Sequence, residues 1–309
     1  MRALRILFIT LVLVLGLAVG VYFFFPGLTL AAAERVELRT AGLERAGLDI
    51  PGHHVAYLVG GTGEPLVLLH GFGADKSNWV RAARYLTPRF RVIVPDLPGF
   101  GESTRNPNAR YGVADQVERV HSIVTTLGLG AIHVAGNSMG GAIAGVYAAR
   151  YPREVKSLWL LDPGWVTSAK RSELDERLAR GDNPLLVNDA DGFERLLDFV
   201  FVTRPPIPRP IERYLAERAV EFRSFNEKVG ADLQAAPVVL ENELKGLPTP
   251  TLILWGDHDR LVDVSGADVL KSVMPNAEVV VMRDVGHIPM VERPEDSAHA
   301  FLRFRKLAS

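Results

Sequence analysis

The sequence predicts an α/β fold: a mostly parallel sheet flanked by helices, carrying a helical cap and preceded by a membrane-spanning helix. Three observations lead there. From Pro51 onward, short apolar runs alternate with stretches of helical period. One interval of roughly eighty residues breaks that alternation and holds no strand pattern, too long for a loop. And the chain opens with a single uncharged apolar run.

That run, Ile6 to Phe25, reads ILFITLVLVLGLAVGVYFFF. A helix of this length spans about 30 Å, the hydrocarbon thickness of a bilayer. The 309-residue chain has a mean hydropathy of +0.11 although 23% of its residues are charged. The run sums to roughly +55 on a standard hydropathy scale and the whole chain to about +34, so the remainder is an ordinary globular sequence. Arg2 and Arg5 before the run and Ala31–Ala33 after it also fit a cleavable secretory signal. Against that, the run exceeds a usual signal core and the alanines lie well past Phe25. A retained single-span anchor over residues 1–27 is expected, with Tyr22–Phe25 as interfacial aromatics and the N-terminus cytoplasmic. Arg35 and Arg39 near the other end make that orientation bias modest. Gly16 and Gly20 have the spacing at which bare backbones let helices approach, which suggests a homodimer through the N-terminal helices. The simpler reading is that glycine is common in membrane helices.

Residues 28–50 read as a linker containing a juxtamembrane helix, Thr29–Thr40, rich in Ala, Glu and Arg. Residues 51–309 form the globular domain. Its strand candidates are His54–Val59, Leu66–His70, Val92–Pro95, Ile132–Gly136, Val155–Asp162, Pro250–Gly256 and Ala277–Arg283. Helical stretches such as Val113–Leu127 and Met139–Arg150 lie between them, the pattern of a parallel α/β sheet. Residues 165–247 show only helical segments and the proline-rich Arg204–Pro210, as expected of a cap over a site. Within it, Phe193–Phe201 reads as too apolar all round for an ordinary surface helix, fit to line an acyl-chain tunnel or to form the cap's own core.

Composition excludes several functions. Without cysteine there is no disulfide scaffold, no thiolate metal site and no cysteine nucleophile. A balance of 35 Lys+Arg against 36 Asp+Glu lacks the basic face of a nucleic-acid binder. Histidines and carboxylates never cluster at ligand spacing, so no metal is expected. Asp96–Ser103 is a glycine-rich turn after a strand but lacks dinucleotide spacing, so it reads as structural support and no cofactor is expected.

The chemistry centres on Gly136-Asn137-Ser138-Met139-Gly140, placed between a strand and a helix. G-x-S-x-G in that context is a nucleophile elbow, whose tight turn leaves no room for a Cβ at the glycines. A serine hydroxyl needs a base, and the base needs an orienting carboxylate, in the order Ser, acid, His on such a sheet. Asp259 and His287 each follow a strand end and take those roles. Asp257 is a rival acid and Asp162, ending another strand, a remoter one. His53, His54, His121, His133 and His299 read as surface or packing residues. The backbone N–H groups of Met139 and Phe72 are the expected oxyanion donors.

These motifs resemble the α/β-hydrolase family over roughly Pro51 to Ser309. They are HGFG at His70–Gly73, DLPGFGES at Asp96–Ser103, GNSMGG at Gly136–Gly141, WGDHD at Trp255–Asp259 and GHIPMVERP at Gly286–Pro294. Gln116–Val124, Gly145–Pro152, Leu261–Leu270 and the leading anchor are similar to membrane-anchored monoacylglycerol lipases and bacterial membrane-bound phospholipases A1. The resemblance implies a serine esterase acting on membrane glycerophospholipids or lysophospholipids and releasing fatty acid. It also implies a homodimer formed through the anchor region, in a bacterial inner membrane with the catalytic domain in the periplasm. Alternatives are a monoacylglycerol lipase, a general carboxylesterase, a C–C hydrolase or perhydrolase on the same triad, or a membrane-tethered binding protein that kept the fold. Dehalogenase and epoxide hydrolase chemistry is disfavoured, because it needs a carboxylate where Ser138 stands.

Overall fold

The computed structural model describes residues 2–307, with the side chains of residues 2, 14, 15, 17 and 18 left out. Eight strands form one sheet: β1 (Leu43–Ile50), β2 (His53–Gly60), β3 (Glu64–Leu69), β4 (Phe90–Pro95), β5 (Ile132–Asn137), β6 (Val155–Leu161), β7 (Thr251–Gly256) and β8 (Ala277–Met282). Their spatial order is β1-β2-β4-β3-β5-β6-β7-β8. The β1–β2 and β2–β4 pairs are antiparallel and every other pair is parallel.

Alternation along the central strands feeds two cores. Val67 and Leu69, Leu158 and Leu160, Ile253 and Trp255 face one core. Leu66 and Leu68, Trp159 and Leu161, Leu252 and Leu254 face the other. Strands buried on both faces need helices on both. Before the elbow come α1 (Arg2–Phe24), α2 (Pro26–Ala41), α3 (Val80–Leu86) and α4 (Val113–Thr126), and after it α5 (Met139–Arg150). Between β6 and β7 lie α6 (Glu173–Ala179), α7 (Ala190–Val200), α8 (Arg209–Glu221), α9 (Arg223–Ala235) and α10 (Leu240–Glu243), with no strand among them. The chain ends with α11 (Ser265–Val273), α12 (Pro289–Glu292) and α13 (Pro294–Phe304). Residues of α4, α5 and α11 cover the first core, and those of α3 and α13 the second.

Three expectations need adjusting. The linker expected over residues 28–50 is a helix only to Ala41, and residues 43–50 are the sheet's first strand. LERAGLDI carries no apolar run because β1 is an antiparallel edge that leaves much of its surface in water, turned into register by Pro51-Gly52. Second, Phe193–Phe201 is not apolar all round. Glu194, Arg195 and Asp198 of α7 are exposed, while Phe199 and Val200 are buried with Leu261, against Ile288. The helix is two-faced, and its apolar face pins the insertion to loops of the sheet. Third, α1 is a 23-residue helix, yet among the described residues no helix is long and apolar enough to cross a membrane. Residues 14, 15, 17 and 18, in the middle of the expected span, have side chains outside the description. The described part gives a helix where a span is expected.

Helix α2 is tied down at both ends. Leu38 and Ala41 are buried in the second core. Near its start, a Cβ on Gly27 would lie 3.0 Å from the Tyr214 ring of α8, so the helix also touches the insertion.

Candidate active site

The turn between β5 and α5 forces Ser138 into view. Its φ of 54° and ψ of −118° belong to no regular element, a conformation that costs about 1–3 kcal/mol and persists only where surroundings impose it. They do so tightly. A Cβ on Gly136 would stand 2.0 Å from the Gly140 carbonyl oxygen, and one on Gly140 would stand 2.4 Å from that of Leu69. Ser138 N–H donates to Leu161 O at 3.0 Å, and its carbonyl accepts from Gly164 N–H at 3.1 Å. The side chain is left half-buried at the carboxyl edge of the sheet, where α/β folds build sites.

Asp259 and His287, on the loops after β7 and β8, meet at that edge. His287 Nδ1 lies 2.7 Å from Asp259 Oδ2, with side-chain exposures of 4% and 0%. Asp259 Oδ1 accepts from the N–H groups of Leu261 and Val262 at 2.7 and 3.1 Å. Three donors thus converge on one buried carboxylate. The rival Asp257 binds its neighbour instead, 2.7 Å from His258 Nδ1, although that imidazole is exposed. Asp162, the remoter rival, is fully buried at the end of β6 and accepts from Gly256 N–H at 2.8 Å. Among the described residues no hydrogen bond joins it to the imidazole; burial first, and then the charge of Asp259, push its pKa well above its ordinary value.

The structure also holds His287 through residues that the sequence did not single out. Asn137 Nδ2 donates to the His287 carbonyl at 3.0 Å. His287 N–H donates to Val200 O at 2.8 Å, joining the histidine loop to the end of α7. Glu292 accepts from Gly286 N–H at 2.9 Å and from Thr203 N–H at 2.6 Å, a second link between loop and insertion. Asn137 occupies a variable position of the elbow motif and Glu292 follows His287 by five residues, so neither carried a signal of its own.

The expected oxyanion donors belong to the residue after the serine and to the residue after Gly71. Met139 opens α5, and Gly71 sits so close that a Cβ there would lie 3.3 Å from Ser138 Cβ. Among the described residues, neither Phe72 N–H nor Met139 N–H donates to the protein. The shape of the Phe72 loop depends on His70, which is fully buried. Its Nε2 accepts from Leu97 N–H at 3.0 Å, so the proton sits on Nδ1, 2.8 Å from Gly71 O. Burial lowers its pKa and keeps it neutral. Leu97 is fixed in turn by the Asp96–Ser103 turn, where Lys76 Nζ lies 2.6 Å from both Asp96 and Glu102. Burial works against the Lys76 ammonium, but the two carboxylates outweigh it and raise its pKa. The Phe72 ring packs on Phe100 and faces Gly230 of α9, so the insertion covers this loop.

A family model described as alpha/beta hydrolase fold matches residues 64–204 and 201–294. Lipase 3 of Moraxella sp. (strain TA144) is 38% identical over 251 residues, covering 79% of this chain and 78% of that one. The monoacylglycerol lipase ABHD6 of Mus musculus is 31% identical over 250 residues, covering 77% and 74%. The crystal structure of a membrane phospholipase A, a bacterial virulence factor, matches with a TM-score of 0.90 at 46% identity, covering 98% of both chains. With these relatives beside the strand–elbow–helix geometry, the chain belongs to the α/β-hydrolase family and is an ester hydrolase of the lipase and phospholipase kind.

Proposed function

We propose that the chain is a membrane-anchored serine esterase that hydrolyses acyl esters of glycerophospholipids or lysophospholipids, in the manner of a phospholipase A1. The observation that carries the chemistry is the 2.7 Å contact of His287 Nδ1 with the buried Asp259, at the sheet edge that presents Ser138. With Nδ1–H given to Asp259, Nε2 is left as the base. Ser138 Oγ attacks the ester carbonyl as His287 takes its proton, and the tetrahedral oxyanion lies between the N–H groups of Phe72 and Met139. Each such donor is worth about 10²–10³ in turnover. His287 then protonates the leaving alcohol, the lysolipid or glycerophosphodiester. Water activated by the same imidazole releases the fatty acid from Ser138, and Asp259 stays ionised throughout.

The lipid substrate and the anchor rest on α1. Its described side chains turn outward, with Leu7 69%, Leu13 67% and Phe24 80% exposed. Apolar surface of that extent is unfavourable in water at about 25 cal/mol per Å² and favourable in a bilayer. The likeness to a membrane phospholipase A covers 98% of the chain, which takes in most of this helix. Arg2 and Arg5 favour a cytoplasmic N-terminus and a periplasmic catalytic domain. A Cβ on Gly16 or Gly20 would meet nothing within 4 Å, leaving room for a second α1 in a homodimer. A monoacylglycerol lipase is the second reading, favoured by the ABHD6 relative.

Fluorophosphonate labelling of the membrane fraction, lost in Ser138→Ala, is the expected result; an unlabelled wild type would overturn the serine mechanism. Fatty-acid release from phosphatidylglycerol, lysophospholipid and monoacylglycerol then separates the two lipid readings. Activity confined to short soluble esters rules out both.

A further inference from the structure

Asp162 carries an unusual set of constraints for a residue outside the triad. Its φ is +44°, in the left-handed region that non-glycine residues seldom adopt. Its N–H is committed to Leu254 O, and Oδ1 to Gly256 N–H at 2.8 Å. Oδ2 is buried and has no hydrogen-bond donor among the described residues. A buried carboxylate oxygen left without a donor is rare and costly. The second buried carboxyl group at this edge is that of Asp259, whose N–H donates to Gly256 O at 3.3 Å, so both acids are tied to the same glycine. Two ionised carboxylates cannot bond to each other; a bond between them requires that one hold a proton. Asp259 has three donors of its own, from Leu261, Val262 and His287. Asp162 has one, and the other charge acting on it, that of Glu292, is also negative.

We propose that Asp162 is a protonated carboxylic acid whose O–H donates to Asp259, making it a positioning residue for the triad. The inference rests on the catalytic reading given above. The bond gives the orphaned oxygen a partner and braces Asp259 from the side opposite His287. Because Asp162 is neutral, it adds no second negative charge beside the imidazole.

Three measurements test this. Asp162→Asn keeps a donor for Asp259 and an acceptor for Gly256, so kcat stays within a few-fold and the acid limb of the kcat/KM profile stays in place. Asp162→Ala loses about ten- to a hundredfold in kcat at unchanged KM, the equivalent of one hydrogen bond to a charged group. The infrared difference between wild type and Asp162→Asn at about pH 8 shows a protonated-carboxyl band belonging to the wild type, where an ordinary aspartate is ionised. Full kcat in Asp162→Ala, an acid limb displaced by about one pH unit in Asp162→Asn, or a missing band would overturn the proposal. If the alanine variant does not fold, the asparagine variant and the band decide. A wild type without esterase activity sinks the triad reading, while the band still reports whether Asp162 holds a proton.

Discussion

Serine, histidine and carboxylate side chains gather at each of the sheet's two ends, and only at one of them does the serine stand on a sharp, half-exposed turn. At the amino ends of the parallel strands, His133 Nδ1 lies 2.7 Å from Ser157 Oγ and its Nε2 lies 2.8 Å from Glu64, which Lys156 also binds. At the carboxyl ends, His287 and Asp259 sit beside the Ser138 elbow. The residue types match, but the settings do not. Ser157 lies within β6 and is fully buried, with its backbone committed to the ladder. Ser138 is half-buried on a positive-φ turn, with two uncommitted N–H groups nearby. The imidazoles are also turned differently. Burial lowers the His133 pKa and keeps it neutral, so Nε2–H donates to Glu64 and the Ser157 hydroxyl donates to Nδ1. That closes a structural pin across β3, β5 and β6. The same residue types thus sit in a strand at one end and on a turn with free amides at the other, the setting that acyl transfer needs.

The sharpest way to break this comparison is to delete each serine. Ser138→Ala should lower ester hydrolysis by about 10⁴-fold or more. Ser157→Ala should leave kcat nearly unchanged and lower stability by about 1–3 kcal/mol, since a buried imidazole nitrogen loses its partner. Thermal unfolding would show that as a fall of about 2–4 °C for each kcal/mol. A large fall in kcat for Ser157→Ala in a folded protein would refute the division of labour. The acids follow the same logic. Asp259→Asn should cost about 10³–10⁴ in kcat through the wrong imidazole tautomer, and Glu64→Gln should leave turnover intact.

The carboxyl-end cluster was readable in the sequence because each part rides on a local pattern. The elbow glycines bracket Ser138, and Asp259 and His287 each follow an apolar strand. Those strands are visible because they are buried on both faces and read as continuous apolar runs. The opposite logic hid β1, an edge strand with polar residues toward water. Asn137, Asp162 and the tie of Glu292 to Thr203 were not legible as positioning features because the partners are distant in sequence. Asn137 and His287 are 150 residues apart, and Asp162 and Gly256 are 94 apart. No local period encodes such pairs; they exist only once strand order has brought the loops together. His133 read as a packing residue, and its buried place between Ser157 and Glu64 fits that reading while adding a partner on each side.

Smaller effects belong to the ties between the histidine loop and the insertion. Glu292→Ala removes the acceptor shared by Gly286 and Thr203. Each lost hydrogen bond to a charged group is worth about 1.5–3 kcal/mol at most, so a fall in kcat of roughly tenfold is expected. Glu292→Gln retains an acceptor and should recover most of it. Loss of stability without loss of kcat in Glu292→Ala would make the tie purely structural.

The smallest expected effect is on pH dependence at the amino-end cluster. Hydrogen bonding from Lys156 first, and then from His133, lowers the Glu64 pKa to about 2. In the unfolded chain a glutamate titrates near about 4.3. A depressed carboxylate binds fewer protons when folded, so its contribution is complete above about pH 4.5 and is lost as pH falls towards 2. Glu64 is half exposed, and solvent screening keeps the effect small. The histidine acts earlier in the same direction. With its folded pKa lowered by burial, His133 resists a proton that the unfolded chain accepts below about pH 6.5, so stability declines from there downward. The Tm difference between wild type and Glu64→Gln should therefore be flat from about pH 7 to 5 and shrink steadily below that, with added salt reducing it throughout. A difference that persists undiminished at about pH 3 would mean that Glu64 pins the strands by shape and not by charge.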